Sequence, residues 1–319
     1  MKSHIKLINL LIYMCVILLV IGCGKQTEKP NLTIPKNTVD NVFPMTLTDQ
    51  MGREVVIEKI PERIVSLAPN NTEILFALNL EDKIVGVTTF CDYPLGVENK
   101  EKIGDYEEPN IEKILSLNPD LVFANDIHQK SIEELEKLNI VSVVLDSKNI
   151  NEVFDSIELA GKATGQDDEA LALTNDLKER MKKIEDKTAN LKADERPKVY
   201  YELWPSPIMT CGPGTFVNDI IQKAGGQNIA FDAKLAYPQY SQEVILAKNP
   251  DIIIFSHHGS GSYNITGDEI LSRQGWSNVN AVKNKKVYYI DENIVQRATP
   301  RLIDGLEQFF KIIHPEFFE

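Results

Sequence analysis

The chain has 319 residues, of which 43% are hydrophobic and 25% charged, and this composition excludes a disordered, collagen-like or polytopic membrane protein. Its 34 basic and 47 acidic residues give a net charge of −13, which argues against a nucleic-acid phosphate backbone as the main partner. The four cysteines form no Cys-x-x-Cys pair, so neither a zinc finger nor a disulfide scaffold is expected.

The N-terminus has the layout of a secretory signal. Lys2 and Lys6 precede or flank an apolar run over 7–22, which is shorter than the roughly 20 residues of a stable membrane span and ends at Cys23. Its last residues, LVIGC, resemble a bacterial lipobox, in which the cysteine is acylated and becomes the new N-terminus; an uncleaved anchor is the alternative. We expect a signal peptide over 1–22, a lipidated Cys23 with a flexible tether to residue 53, and an extracytoplasmic body at the cell membrane.

The first half of the body alternates short apolar runs with amphipathic stretches. The pattern predicts helices at 71–78, 111–117 and 131–138, and strands at 64–67, 84–87, 121–124 and 142–145. Asn70 or Asn71 and Asn110 stand where the N-caps of the first two helices are expected. This alternation favours a parallel sheet with helices on both faces, and we place an N-terminal α/β lobe at 54–166.

A long amphipathic helix follows, and then the alternation resumes. Gly165 ends a shorter helix, and apolar residues at steps of three and four predict a helix over about 167–191, which we assign to an inter-lobe segment at 167–192. A C-terminal α/β lobe is expected over 193–319. Its predicted strands are at 198–203, 252–255 and 287–290, and its predicted helices at 215–224, 241–247 and 300–313.

An internal repeat supports two similar lobes. Tyr106, Glu112 and the turn Asn-Pro-Asp at 118–120 recur as Tyr237, Glu243 and Asn-Pro-Asp at 249–251, all at an offset of 131. An apolar strand follows each turn, since proline stops the preceding helix. The two lobes would then place the two tyrosines at corresponding positions beside a shared cleft.

The two repeated glutamates fall in the first turns of corresponding helices. There a carboxylate is favoured by the helix dipole alone, which is the simplest explanation for either residue. As a pair, Glu112 and Glu243 also provide one anionic contact per lobe, suited to two basic pockets on a symmetric partner.

Four segments resemble one family of transport proteins. They are RIVSLAPNNTE at 63–73, VGVTTFCDYP at 85–94, NIEKIL at 110–115 and YPQYSQE at 237–243. They are similar to ABC-importer substrate-binding proteins of the iron-siderophore, heme and vitamin B12 class, and most similar to its cobalamin-binding members. The resemblance runs from about 63 to 313 and implies two Rossmann-like α/β lobes joined by a single long rigid helix, with small closure on ligand binding.

The resemblance also implies roles for individual residues. It places the ligand-binding wall at Phe90, Tyr106, Met209, Tyr237 and Arg297, with Met209 standing where the relatives have an aromatic residue. A further tryptophan of the relatives falls on Asn125, a departure from the cobalamin pattern. The permease-docking residues are implied to be Glu112 and Glu243.

Two histidines and two cysteines remain as candidates. His257 and His258 follow a predicted strand end, where one of them could ligate the iron of heme or a siderophore, or the lower face of a corrin; a polar loop is the alternative. Met209 could serve as a heme axial ligand, or simply pack. Cys91 and Cys211 are expected to be buried free thiols.

The sequence favours a binding protein over an enzyme. No Gly-x-Ser-x-Gly elbow, phosphate loop or metal cluster is visible in it. We therefore expect a monomeric lipoprotein, without a cofactor, that captures cobalamin or another corrinoid for an ABC permease dimer. Heme or a ferric siderophore is the alternative ligand, while an extracytoplasmic metalloenzyme and a structural lipoprotein are the alternative classes.

Overall fold

The computed structural model describes residues 43–256 and 265–318. The predicted signal peptide, Cys23 and most of the tether lie outside these residues, as do His257 and His258. No helix of the described ranges is long and apolar enough to cross a membrane.

The secondary structure alternates strands and helices along most of the chain. The strands are β1 (Met45–Thr48), β2 (Glu54–Ile57), β3 (Ile64–Ser66), β4 (Ile84–Val87), β5 (Glu101–Lys102), β6 (Leu121–Ala124), β7 (Ser142–Val144), β8 (Lys198–Glu202), β9 (Trp204–Pro205), β10 (Ile208–Met209), β11 (Gln227–Asn228), β12 (Ile252–Phe255) and β13 (Val287–Tyr289). The helices are α1 (Pro69–Ala77), α2 (Ile111–Ser116), α3 (Gln129–Lys137), α4 (Ile150–Thr164), α5 (Asp167–Thr188), α6 (Phe216–Lys223), α7 (Gln242–Lys248), α8 (Gly267–Leu271), α9 (Asn280–Lys283), α10 (Asn293–Gln296) and α11 (Leu302–Ile313).

Two parallel sheets form two α/β lobes, as the sequence predicts. Among the described residues the first sheet has five strands in the order β5-β4-β3-β6-β7, and the second has four in the order β11-β8-β12-β13. Both sheets are buried on both faces, because alternate residues of one strand enter different cores. In β12, Ile252 and Ile254 pack in the central core, whereas Ile253 and Phe255 pack in an outer core of the C-terminal lobe.

The predicted inter-lobe helix is α5, which is slightly shorter than expected. Gly165 ends α4 in the left-handed conformation, as expected for a glycine after a helix. Helices α4 and α5 pack closely, because a Cβ added at Gly161 would lie 2.4 Å from that of Ala170. The central core runs through this pair from Ile64 in one lobe to Val199 in the other, so the two lobes share one continuous apolar interior.

Two local predictions are wrong. The tether was expected to reach residue 53, but β1 pairs antiparallel with β2, so the folded body includes residues 45–48. Helix α1 begins at Pro69, with Ala68 as its N-cap, and not after Asn70 or Asn71. Asn71 is buried and donates its side-chain amide to the Ala124 carbonyl, which fixes the helix against β6. A proline in the first turn was the available sequence signal.

The repeated Asn-Pro-Asp turns have the same structure in both lobes. Asn118 and Asn249 have positive φ angles of 45° and 46° and end helices α2 and α7. The following aspartates then accept hydrogen bonds from the backbone at the start of the neighbouring strand: Asp120 from Arg63 N–H at 3.0 Å and Asp251 from Lys198 N–H at 3.0 Å. Each turn therefore aligns two adjacent strands, which explains why it recurs.

Candidate functional site: a cleft between the lobes

A cavity of about 330 Å³ lies between the two lobes. On the N-terminal side it is formed by residues that follow strands: Asn70, in the first turn of α1, comes after β3, Asn125 after β6 and Asp146 after β7. Ligands of parallel sheets bind at this carboxyl edge. The lining residues are Pro69, Asn70, Phe90, Tyr106, Asn125, Asp146, Ser147, Phe216, Gln296, Arg297 and Ala298.

The cleft brings together three of the predicted ligand-binding residues. Phe90 and Tyr106 come from the N-terminal lobe and Arg297 from the C-terminal lobe. Phe90 is 54% exposed to solvent, whereas Tyr106 is half-buried. An exposed aromatic ring beside a half-buried one suits a large apolar ligand, since aromatic contact area dominates such binding.

Phe216 also lines the cleft, and the sequence reasoning missed it. It begins α6, just after the N-cap Thr215, whose hydroxyl accepts a hydrogen bond from Asn218 N–H. A lone aromatic residue at a helix start gives no signal in a sequence, so only the packing of the two lobes reveals its position.

His128 positions Tyr106 through a hydrogen bond and a ring contact. The His128 Nε2 lies 2.6 Å from the Tyr106 carbonyl oxygen, and its Nδ1 accepts a hydrogen bond from Asn125 N–H at 2.9 Å. The two rings meet edge to face with centroids 5.3 Å apart. His128 is only 1% exposed, and this burial lowers its pKa despite the hydrogen bonds, so the ring is neutral with its proton on Nε2.

Arg297 belongs to an ion cluster that joins the lobes. Its guanidinium lies 2.5 Å from Asp92 Oδ1 and 3.3 Å from Glu73 Oε1. Arg301 donates two hydrogen bonds to Glu73, at 2.6 and 2.7 Å, and stacks 3.9 Å above the Tyr93 ring. Burial raises the pKa of Asp92, but the hydrogen bonds and charge of Arg297 outweigh it and hold that pKa below its usual range. Asp92 thus stays ionised beside Arg297.

Met209 and Tyr237, the other two predicted wall residues, do not line this cavity. Met209 ends β10 and packs against the central core, and it forms an isolated antiparallel bridge with Gln239. Tyr237 lies in the neighbouring segment with 52% of the residue exposed. The two residues are therefore close to one another on the C-terminal lobe, outside the lining of this cavity.

Glu112 and Glu243 occupy matching exposed positions on the two lobes. Each lies in the first turn of its helix, after an N-cap that accepts a backbone hydrogen bond: Asn110 from Lys113 N–H and Ser241 from Val244 N–H. Hydrogen bonds from Ser241 and from its own backbone lower the pKa of Glu243. Both side chains face solvent, as a docking role requires.

Cys91 and Cys211 are buried free thiols, as expected. The Cys91 Sγ lies 3.2 Å from the Thr72 hydroxyl, and burial raises the pKa of Cys211 to about 12. The Cys211 thiol is therefore protonated and unreactive. Within residues 43–256 and 265–318, no group of three or more His, Cys, Asp or Glu side chains is placed to hold a metal ion.

Comparison with known proteins identifies a family and several relatives of this chain. A family model described as periplasmic binding protein matches residues 64–294. The chain is 37% identical over 304 residues to the uncharacterized ABC transporter substrate-binding lipoprotein YvrC of Bacillus subtilis, covering 93% of this chain and 94% of that protein. It is 30% identical over 249 residues to a vitamin B12-binding protein of Vibrio cholerae, covering 77% of this chain and 87% of that one.

A solved structure from Staphylococcus epidermidis has the same fold. It is described as a possible iron-binding (periplasmic solute-binding) protein, and it superposes with a TM-score of 0.69 at 31% identity. The match covers 80% of this chain and 100% of that one. The two-lobed architecture is therefore shared with this solute-binding protein.

Proposed function

Because this chain belongs to the periplasmic binding protein family, we propose that it is a lipid-anchored extracytoplasmic receptor that captures cobalamin or a related corrinoid and delivers it to an ABC permease. At the coarser level, it is an ABC-importer substrate-binding protein of the class that takes vitamin B12, heme and siderophores. The curated vitamin B12-binding relative at 30% identity supports the corrinoid.

The juxtaposition of Phe90 and Tyr106 with Arg297 across the cleft carries this proposal. A corrin is a large, largely apolar disc fringed with amides, so it needs aromatic contact area and a few hydrogen bonds. The two rings supply the area, and the Arg297 guanidinium supplies donors for amide carbonyls. In this proposal Tyr237 and Met209 contact the part of the ligand that extends over the C-terminal lobe.

Heme or a ferric siderophore is the second candidate. The Staphylococcus epidermidis relative described as possibly iron-binding favours it. A metal bond would then come from His257 or His258, which follow β12 in the sequence.

Absorbance titrations of the purified protein with cyanocobalamin, hemin and a ferric siderophore test the ligand. We expect cyanocobalamin to bind, and Tyr106→Ala or Tyr237→Ala to weaken it by about 1–3 kcal/mol, the range for an aromatic anchor. Tyr106→Phe is the matched control, since it keeps the ring and should bind nearly as wild type does. Silent tyrosine variants together with loss of binding in His257→Ala, His258→Ala would instead establish a metal-ligated iron compound.

A further inference from the structure

The charged side chains that line the cleft are balanced inside the protein. Within the described residues the lining contains two of them, Arg297 and Asp146. Arg297 contacts Asp92 and Glu73, and Asp146 lies 2.7 Å from the Lys148 ammonium. The cleft therefore presents an arginine whose charge is already compensated.

The two carboxylates around Arg297 differ in what they can do. The Glu73 side chain is 2% exposed and is also bound by Arg301, so it is a fixed part of the interior. The Asp92 side chain is 57% exposed, lies two residues after Phe90 in the same loop, and contacts both terminal nitrogens of Arg297. Asp92 is itself outside the lining given above, but it is the exposed partner of the lining residue Arg297, so a ligand group that reaches Arg297 from the cleft also meets Asp92.

We propose that Asp92 determines specificity in this cleft by rejecting ligands with a carboxylate fringe, an inference that rests on the proposed role of the cleft in ligand capture. A carboxylate that approaches Arg297 must displace Asp92 or lie beside it, and like charges in contact are unfavourable. A neutral amide carbonyl meets no such repulsion and accepts a hydrogen bond from the guanidinium. The cleft therefore selects an amide-fringed disc over a disc of similar size that carries acids.

Asp92→Asn removes this charge while keeping the size of the side chain. Cyanocobalamin and hemin are the probes, because the first has a neutral amide fringe and the second carries two carboxylates. Asp82→Asn is the matched control, since Asp82 is exposed on the same lobe just before β4, at the opposite edge of the sheet from the cleft. We expect Asp92→Asn to tighten hemin binding by at least about fivefold and to change cyanocobalamin binding by less than about twofold.

Adding Arg297→Gln to Asp92→Asn should abolish the gain for hemin, because the freed guanidinium is its source. Hemin dissociation constants that agree between Asp92→Asn and Asp82→Asn would overturn the inference, as would hemin failing to bind any variant. Equally weakened binding of both ligands by Asp92→Asn would also overturn it, because Asp92 would then act only as a structural contact between the lobes. The proposed function fails separately, if wild-type protein does not bind cyanocobalamin, and the hemin comparison still decides the role of Asp92.

Discussion

The protonation state of His128 affects two residues that line the cleft. Its neutral ring accepts a hydrogen bond from Asn125 N–H and donates one to the Tyr106 carbonyl, and both of these residues line the cleft. A second proton would occupy Nδ1 and abolish the first bond. Because burial lowers the pKa in the folded state, the unfolded chain binds this proton more readily.

Acidification should therefore destabilise the protein through His128. The stabilisation is fully present above the ordinary histidine pKa of about 6.5 and declines as the pH falls from there towards the folded value. His128→Gln does not titrate, so its melting temperature should fall less between about pH 7 and about pH 5.5 than that of wild type. Thermal denaturation at the two pH values measures this, and equal losses in both proteins would contradict it.

Helices α2 and α7 are the corresponding elements of the two lobes. Each has a side-chain N-cap, an exposed glutamate in its first turn and a left-handed asparagine after its end. The cap and the helix dipole explain the local stability of this arrangement. They do not require a glutamate in both lobes, so a docking role for the pair stays a prediction.

Replacing both Glu112 and Glu243 with Ala should weaken association with the cognate permease and leave ligand affinity nearly unchanged. The reason is that both carboxylates face solvent away from the lining of the cleft. Pull-down with permease in nanodiscs, alongside a ligand titration, measures the two effects. Glu134→Ala with Asp194→Ala is a matched control that removes other exposed acids. A parallel loss of ligand binding would place the two glutamates in the cleft instead.

At the scale of the whole molecule, two connections restrain the lobes. Helix α5 and the continuous core join them on one side, and the Glu73 ion cluster joins them beside the cleft. Glu73 is nearly inaccessible, so separating it from Arg301 would leave a buried carboxylate without one of its partners, which is strongly unfavourable. We therefore expect small closure on ligand binding and not a wide hinge motion.

The proposed lipid anchor at Cys23 would attach the whole protein to the membrane. Cys23→Ser should prevent acylation, so the protein should leave the membrane fraction or accumulate as a longer precursor, because stable anchoring needs two acyl chains. Cys15→Ser is the control, since it removes a cysteine of the predicted signal peptide and keeps the predicted lipobox. Fractionation and mass spectrometry of the N-terminus measure both outcomes. An unlipidated N-terminus at Gly22 in membrane-bound wild-type protein would contradict the anchor.

Local sequence patterns were enough to predict the two lobes, the linking helix and the equivalent positions of Glu112 and Glu243. These follow from local rules, because period-2 and period-3.6 burial, Asn-Pro-Asp turns and a glycine after a helix leave a signature within a few residues. Short elements left no such signature. Strands β5, β9, β10 and β11 have two residues each and were not predicted, and β1 was assigned to the tether.

The set of side chains that share the cleft follows from the packing of the two lobes and could not be predicted from the sequence. Phe216 and Arg297 belong to distant segments, and their approach to Phe90 depends on how the lobes pack. The same holds for Asp92 and Glu73, whose contacts with Arg297 span more than 200 positions of the sequence. Met209 and Tyr237 match the family pattern in sequence, yet they do not line this cavity. Shared cavities and charge compensation arise from contacts between distant segments, so no local pattern encodes them.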